Sequence, residues 1–336
     1  NGEKLRAGVL SMARGWAERG LVESAFLDWL EDEGRVSFPW SMIDKITPHP
    51  SERVQEELGR LGVADMAIAR TNTGTLIAPF VNAEITEYLV LEDAFPNGRP
   101  ALEGAGVYLT DRTTVEKAEK MKVGTCLNPL HTALAVYGCL LGYTSIAAEM
   151  GDADLKALVE HIAAESLPVV EDPGILSPRA FIDEVLHERF PNPAIPDTPQ
   201  RIAADTSQKL PVRYGGTLRR YARQSEQALA GLEFAPLVFA GWCRYLLGVD
   251  DRGNAMPVSP DPMLPQLQAH LKGIEVGRPD SLAGQLRPIL SNAALFGVDL
   301  YAAGLGERTE EMFRDMLAGP GAVRATLHRN CVCKQP

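Results

Sequence analysis

The chain has 336 residues, enough to bury a substantial core and form two structural units. With 45% hydrophobic and 23% charged residues it has the balance of an ordinary globular protein, which excludes a fibrous or disordered chain. Its 33 basic and 44 acidic side chains give a net charge of −11 with no basic stripe, which argues against nucleic-acid binding.

Residues 1–112 mix helices, expected over Glu3–Arg19 and Leu21–Glu31, with short β-rich segments at Met66–Arg70 and Tyr88–Glu92. The turn from Phe95 to Pro100 punctuates them. This part reads as the end of an α/β nucleotide-binding domain, with Ser41–Pro48 running toward the domain cleft. From Thr113 onward helices dominate. They are expected at Val115–Met121, Asn128–Met150, Ala153–Glu165, Pro178–Arg189, Thr198–Ser207, Leu218–Leu247 with a break at Pro236, Pro262–Lys272, Leu282–Ala293 and Glu307–Leu317. The expected fold is therefore mainly α: the C-terminal portion of a Rossmann-type α/β domain over residues 1–112, then a multihelical substrate domain over 113–336.

The most informative stretch runs from Lys122 to His131. Between Val123 and Met150 the only formal charge is Glu149, yet the segment holds too many polar residues to span a bilayer. A helix buried in a protein core is the better reading. Asn128 followed by Pro129 is an N-cap with proline in the first turn, so the helix should begin there. Asn128 and His131 then share a face at the positive end of the helix dipole, and a lysine on the entering loop would feel the same field, which disfavours its charged form and suits a general base. Taken singly, each of these residues is as readily a cap or a packing residue; it is their clustering that points to chemistry.

Other candidates are less specific. Arg201 and Asp205 are spaced to form an i,i+4 ion pair on a solvated helix face, with Lys209 just beyond. Asp44 suits a hydrogen bond to a ligand hydroxyl or a turn cap equally well. His49, His161, His187, His270 and His328 lack metal-ligand spacing, so no catalytic zinc is expected. Cys126, Cys139 and Cys243 lie in apolar stretches and read as small core residues of a reducing compartment; Cys331-Val-Cys333 has no partner ligands. No cleavable signal and no stop-transfer segment is found, so a cytoplasmic protein away from membranes is expected.

Lys122, Asn128 and His131, opening a long apolar helix, resemble the catalytic signature of the mannitol dehydrogenase family of polyol-specific long-chain dehydrogenases. That family also includes fructuronate and tagaturonate reductases. Further stretches resemble it in the same order: Asn1-Gly2, Ser41 to Pro48 around Asp44, Glu92 to Pro100, Phe190 to Pro193, then Arg201, Asp205 and Lys209-Leu-Pro211. The resemblance implies zinc-independent hydride transfer between a secondary alcohol and NAD or NADP. Lys122 would take the hydroxyl proton, Asn128 would bond the developing oxyanion, and His131 would orient the substrate or the lysine. Arg201 and Lys209 would lie near substrate hydroxyls or a carboxylate, and Asp44 near a hydroxyl.

The substrate class implied is a keto sugar acid and its polyhydroxy acid, of the fructuronate and mannonate type. The alternatives are a mannitol or other polyol 2-dehydrogenase, and a helical homologue that has lost catalysis and serves as a binding module. A monomer or homodimer is expected. This sequence departs from the family pattern in two ways: five residues separate Lys122 from Asn128 where the family has four, and Pro129-Leu130 replaces a small pair before the histidine. The loop presenting Lys122 should therefore be bulged. No G-x-G-x-x-G turn follows a strand, Gly104-Ala-Gly106 being the nearest approach, so the expectation is the C-terminal two-thirds of a longer enzyme whose preceding part binds the nucleotide.

Overall fold

The computed structural model describes residues 2–72 and 75–332, so Asn1 and Cys333 lie outside the described residues. Two compact units emerge, each assembled from separate stretches of chain: residues 1–45, 85–121 and 171–177 form one, and 46–84, 122–170 and 178–336 the other. Five strands occur among the described residues, β1 (Ser41–Asp44), β2 (Ala69–Arg70), β3 (Leu76–Ile77), β4 (Tyr88–Glu92) and β5 (Tyr108–Thr110). Everything else that is regular is helical, as the mainly-α reading expects.

In the first unit β4 is the central strand. β1 pairs with it antiparallel, Met42 opposite Val90, and β5 pairs parallel, Tyr108 opposite Val90. The helix Arg112–Met121 packs on β1 and β4 and buries Val115, Ala118 and Met121, every third residue of its length. Leu10 and Ala13 of the Gly2–Glu18 helix meet Leu30 of the Ser24–Glu31 helix in a second small cluster.

The second unit is built around two helices with almost no polar face. Asn128–Leu141 is buried from Pro129 to Leu140, and Phe234–Tyr245 from Ala235 to Tyr245. The Tyr137 hydroxyl donates to Leu237 O at 2.8 Å, pinning one to the other. Around them lie Ala153–Ser166, Thr206–Arg213, Gly306–Met316 and Ala322–Cys331. The antiparallel pair β2–β3 belongs to the 46–84 stretch.

Several boundaries differ from the sequence expectation, each for a local reason. The helix expected to reach Met150 stops at Leu141, because Gly142 takes a left-handed conformation (φ 81°) that only glycine adopts freely; Ser145 then caps a new short helix, Ile146–Glu149. Pro236 breaks nothing, since it sits in the first turn of its helix, where the missing N–H has no intrahelical partner to lose. The Leu218–Leu247 run is instead broken at Ser225, which is extended and caps the helix Glu226–Ala230, and again before Phe234. Pro178–Arg189 finishes as a π-helical turn, Val185–Arg189. The final helix, Ala322–Cys331, has no counterpart among the expected elements; it is held by Arg324 on Asp152 and Asp154 and by Asp251 accepting from Val323 N–H. Cys126, Cys139, Cys243 and Cys331 are all buried free thiols.

Glu149, the single charge of the long apolar run, is wholly buried, and neither carboxyl oxygen has a hydrogen-bond partner. A Cβ at Gly138 would fall 2.0 Å from its Oε1, so glycine there makes room for it. Burial first, then the nearby negative charge of Asp197 and Asp152, pushes its pKa from the ordinary 4.5 up to about 9. Between those values the folded protein keeps a proton that the unfolded chain has lost, so this group makes stability fall as pH rises from about 4.5 to about 9, with each pH unit worth about 1.4 kcal/mol at most. Glu149→Gln is therefore expected to raise the melting temperature at pH 8–9 and to flatten its pH dependence. Parallel melting curves for parent and variant at pH 5, 7 and 9 would assign the slope to other buried acids such as Glu165.

Candidate active site

Lys122 to Cys126 form a π-helical turn, and Leu127 N–H closes it by donating to Lys122 O, five residues back, at 3.1 Å. A π turn holds one more residue than an α turn, so the expected bulge takes this form at the site of the longer Lys–Asn spacing. The middle of the turn and the start of the helix after it are anchored from elsewhere in the unit: Thr217 Oγ1 donates to Gly124 O at 3.0 Å and Tyr214 Oη to Pro129 O at 2.7 Å. Lys122 heads the turn, half-buried.

Asn128 is not the cap that its Asn-Pro sequence suggests. Leu127 occupies the cap position and Asn128 is the first helical residue, because the π turn runs straight into the helix without the extended residue that a capping side chain needs. Its carboxamide is thus not used as a cap, and it stands one turn before His131.

His131 is 6% exposed. Its ring packs at 5.0 Å and 37° against Phe190, and Nε2 lies 3.3 Å from Asp197 Oδ2, close enough for an ion-pair contact though poorly aligned for a hydrogen bond. Burial lowers the His131 pKa more than Asp197 raises it, with Arg213 and Arg201 adding to the lowering, so the ring is neutral near pH 7. Asp197, being ionised, can only accept, so the contact favours the tautomer with the ring proton on Nε2 and Nδ1 as an acceptor.

Asp197, a residue the sequence reading did not single out, is the hub of this part of the site. Arg201 grips it with two bonds of 2.7 Å, Nε to Oδ1 and Nη2 to Oδ2. Burial pushes the Asp197 carboxyl up, but the contacts with His131 and Arg201 outweigh it and hold the group well below the usual carboxylate range. The anticipated Arg201–Asp205 pair on one helix face is absent: Arg201 ends in a short helix, Pro199–Ile202, while Asp205 has φ 52° and starts the next, Thr206–Arg213. The usable signal was an acidic residue four positions before the arginine.

Lys209 donates to Ile202 O at 3.0 Å and Ala204 O at 2.5 Å, both neutral acceptors. Burial, then the positive charge of Arg213, brings its pKa down to about 8. Arg213, one turn further on and also missed from sequence, donates to Thr132 Oγ1 at 2.6 Å, and Thr132 donates to Asn128 O at 2.8 Å. Burial lowers the Arg213 pKa to about 10. Arg201, Lys209 and Arg213 thus gather beside the first turn of the His131 helix; Arg201 is matched by a carboxylate and the other two by neutral groups. Asp44, buried at the end of β1, belongs to the first unit. Among the described residues no group of three or more His, Cys, Asp or Glu is placed to hold a metal ion, and no helix is long and apolar enough to cross a membrane.

A buried helix is thus entered through a lysine-bearing π turn, with asparagine and histidine on its first turn and cations beside it. Residues 114–309 match the mannitol dehydrogenase C-terminal domain family. The chain belongs to the mannitol dehydrogenase family. It is 56% identical over 329 residues to the D-mannonate oxidoreductase of Thermotoga maritima, covering 97% of this chain and 61% of that protein. It is 32% identical over 303 residues to the Escherichia coli D-mannonate oxidoreductase, covering 89% and 55%. Among solved structures it resembles Pseudomonas fluorescens mannitol 2-dehydrogenase in a ternary complex with NAD and D-mannitol, with a TM-score of 0.70, 30% identity, and coverage of 100% of this chain and 61% of that one. The chain thus spans less than two-thirds of the length of these relatives.

Proposed function

We propose that this chain supplies the substrate and proton-handling machinery of an NAD(P)-dependent, zinc-independent oxidoreductase that interconverts a keto sugar acid and its polyhydroxy acid, of the mannonate type. The carrying observation is the 56% identity to a D-mannonate oxidoreductase across nearly the whole chain, joined to a site with two cations, Lys209 and Arg213, whose hydrogen bonds go to neutral acceptors. In this reading residues 113–336 act as the catalytic domain and 1–112 as the end of the dinucleotide-binding domain.

Lys122 accepts the alcohol proton in the oxidation direction. Asn128 donates to the oxygen as it gains or loses negative charge, and neutral His131 offers Nδ1 to a substrate hydroxyl or to the lysine. Asp197 holds the imidazole tautomer, and Lys209 with Arg213 attracts the carboxylate. Asp44 would bond a hydroxyl. The nicotinamide, when bound, exchanges the hydride at the carbinol carbon. The chain's own residues do not account for the cofactor's pyrophosphate: none of its five described strands is followed by a glycine-rich turn. The likeness to an NAD complex favours NAD, and NADP is the alternative.

A polyol 2-dehydrogenase is the second reading, favoured by the likeness to a mannitol complex. The deciding experiment compares NAD(H)- and NADP(H)-linked turnover of the full-length protein on mannonate, altronate and mannitol. Turnover of the sugar acids at least tenfold above mannitol is expected, and a preference for mannitol would reverse the order.

A further inference from the structure

Arg189 and Glu84 form an ion pair in which each side chain is only 2% exposed. Nε donates to Glu84 Oε2 at 2.9 Å and Nη2 to Oε1 at 2.6 Å, a two-bond grip. Glu84 is held in turn by Ile46: Ile46 N–H donates to Oε1 at 2.5 Å, and Glu84 N–H donates to Ile46 O at 3.1 Å. A buried ion pair gives little stability beyond what packed apolar side chains of the same volume would give, because both charges lose their water. Its value lies in geometry: two planar groups accept one mutual arrangement.

What that arrangement places is the next stretch of chain. Arg189 is the last residue of the π turn Val185–Arg189, and Phe190 N–H closes that turn on Val185 O at 3.0 Å. Phe190 is the ring that packs on His131. Beyond it consecutive turns carry the chain onward: Asn192 N–H bonds Arg189 O, Ile195 N–H bonds Asn192 O, and Asp197 N–H bonds Ile195 O. The segment 189–197 therefore delivers both neighbours of His131, the ring at Phe190 and the carboxylate at Asp197, and Arg189 is its fixed end.

We propose that Glu84 and Arg189 are positioning residues for His131: by anchoring the 189–197 segment they set the ring plane through Phe190 and the proton-bearing nitrogen through Asp197. The proposal rests on the assignment of His131 to the reaction, and its first readout is chosen to be independent of turnover. In the full-length protein Glu84→Gln keeps an acceptor for Ile46 N–H but leaves the arginine buried without its counter-charge. The double variant Glu84→Leu with Arg189→Met removes both charges at similar volume and is the form most able to fold.

The double variant, with a far-ultraviolet circular dichroism spectrum like the parent's, should move the His131 ring proton resonances, because the Phe190 ring current changes, and should shift the pH at which His131 titrates. It should also lower kcat on the best substrate tenfold or more while KM and the cofactor Kd stay within about twofold. Unmoved His131 resonances in a folded double variant overturn the proposal. An unfolded double variant beside a folded Glu84→Gln with parent-like His131 resonances overturns it as well, since the pair would then serve stability alone. A parent inactive on every sugar acid and polyol would refute the proposed function and leave the resonance test to decide this inference.

Discussion

Lys122→Ala is expected to remove most of kcat in the full-length protein, by about 100- to 10,000-fold, the usual contribution of a positioned general base, with cofactor affinity unchanged. The expectation rests on where the residue sits. Lys122 opens the π turn whose closing bond joins Lys122 O to Leu127 N–H, so its backbone is fixed by a hydrogen bond that the alanine variant retains. The turn is fixed again by Thr217 on Gly124 O, and the helix that follows by Tyr214 on Pro129 O, so loss of the side chain should leave the loop standing. A missing proton acceptor in a standing loop is a cavity that a small amine can enter, so primary alkylamines should restore part of the rate, in proportion to their basicity. Full turnover in Lys122→Ala would take the residue out of the mechanism, and a variant and parent equally inactive would favour a homologue that has kept the fold without catalysis.

The second large effect separates the three cations. Arg201 makes two side-chain bonds to Asp197, which neutralises it and ties it to His131. Arg201→Leu should therefore strip Asp197 of its main partner and cut kcat on acid and neutral substrates alike, by about 10- to 100-fold at about 1.4 kcal/mol per factor of ten. Lys209 instead gives its bonds to two carbonyls, and in the proposed function its charge serves the substrate carboxylate. Lys209→Gln retains a donor for one of those carbonyls but loses the charge, so kcat/KM for mannonate should fall about tenfold more than for mannitol, the worth of one charge-assisted bond. The pH dependence has a definite sign. Lys209 is cationic below about 8 and neutral above it, so the ratio of kcat/KM on mannonate to that on mannitol should decline as pH rises through about 8. Requirements common to both substrates, such as deprotonation of the base, cancel in that ratio. A ratio constant from pH 6 to 10, or losses in Lys209→Gln equal on both substrates, would mean that the cations read hydroxyls shared by both, and the polyol reading would take precedence.

Much of this protein is local in origin and is legible in its sequence. The apolar run after Asn128 had to be buried somewhere, the uncharged helix with Asn128 and His131 one turn apart follows from spacing, and an additional residue after Lys122 required a bulge. Secondary structure whose signal lies within a few residues was recovered as well, as at Tyr88–Glu92 and Ala153–Ser166. What only the tertiary structure decided are the pairings between residues whose side chains lie far apart in sequence or across a turn that sequence cannot orient. Asp197 meets His131 across 66 positions because turns carry residues 189–197 back over the central helix, and no periodicity encodes that return. Arg213 reaches Thr132 and Arg189 reaches Glu84 for the same reason. The Arg201–Asp205 spacing was misleading because one left-handed residue, Asp205, ends the helix that the i,i+4 argument assumes. Asn128 lost its expected capping role because a π turn leads into its helix where a capping residue would have to be extended. In sequence Glu149 is only the single charge of an apolar run; packing against Gly138 and the interior made it a buried acid, since burial is a property of the neighbours and not of the residue.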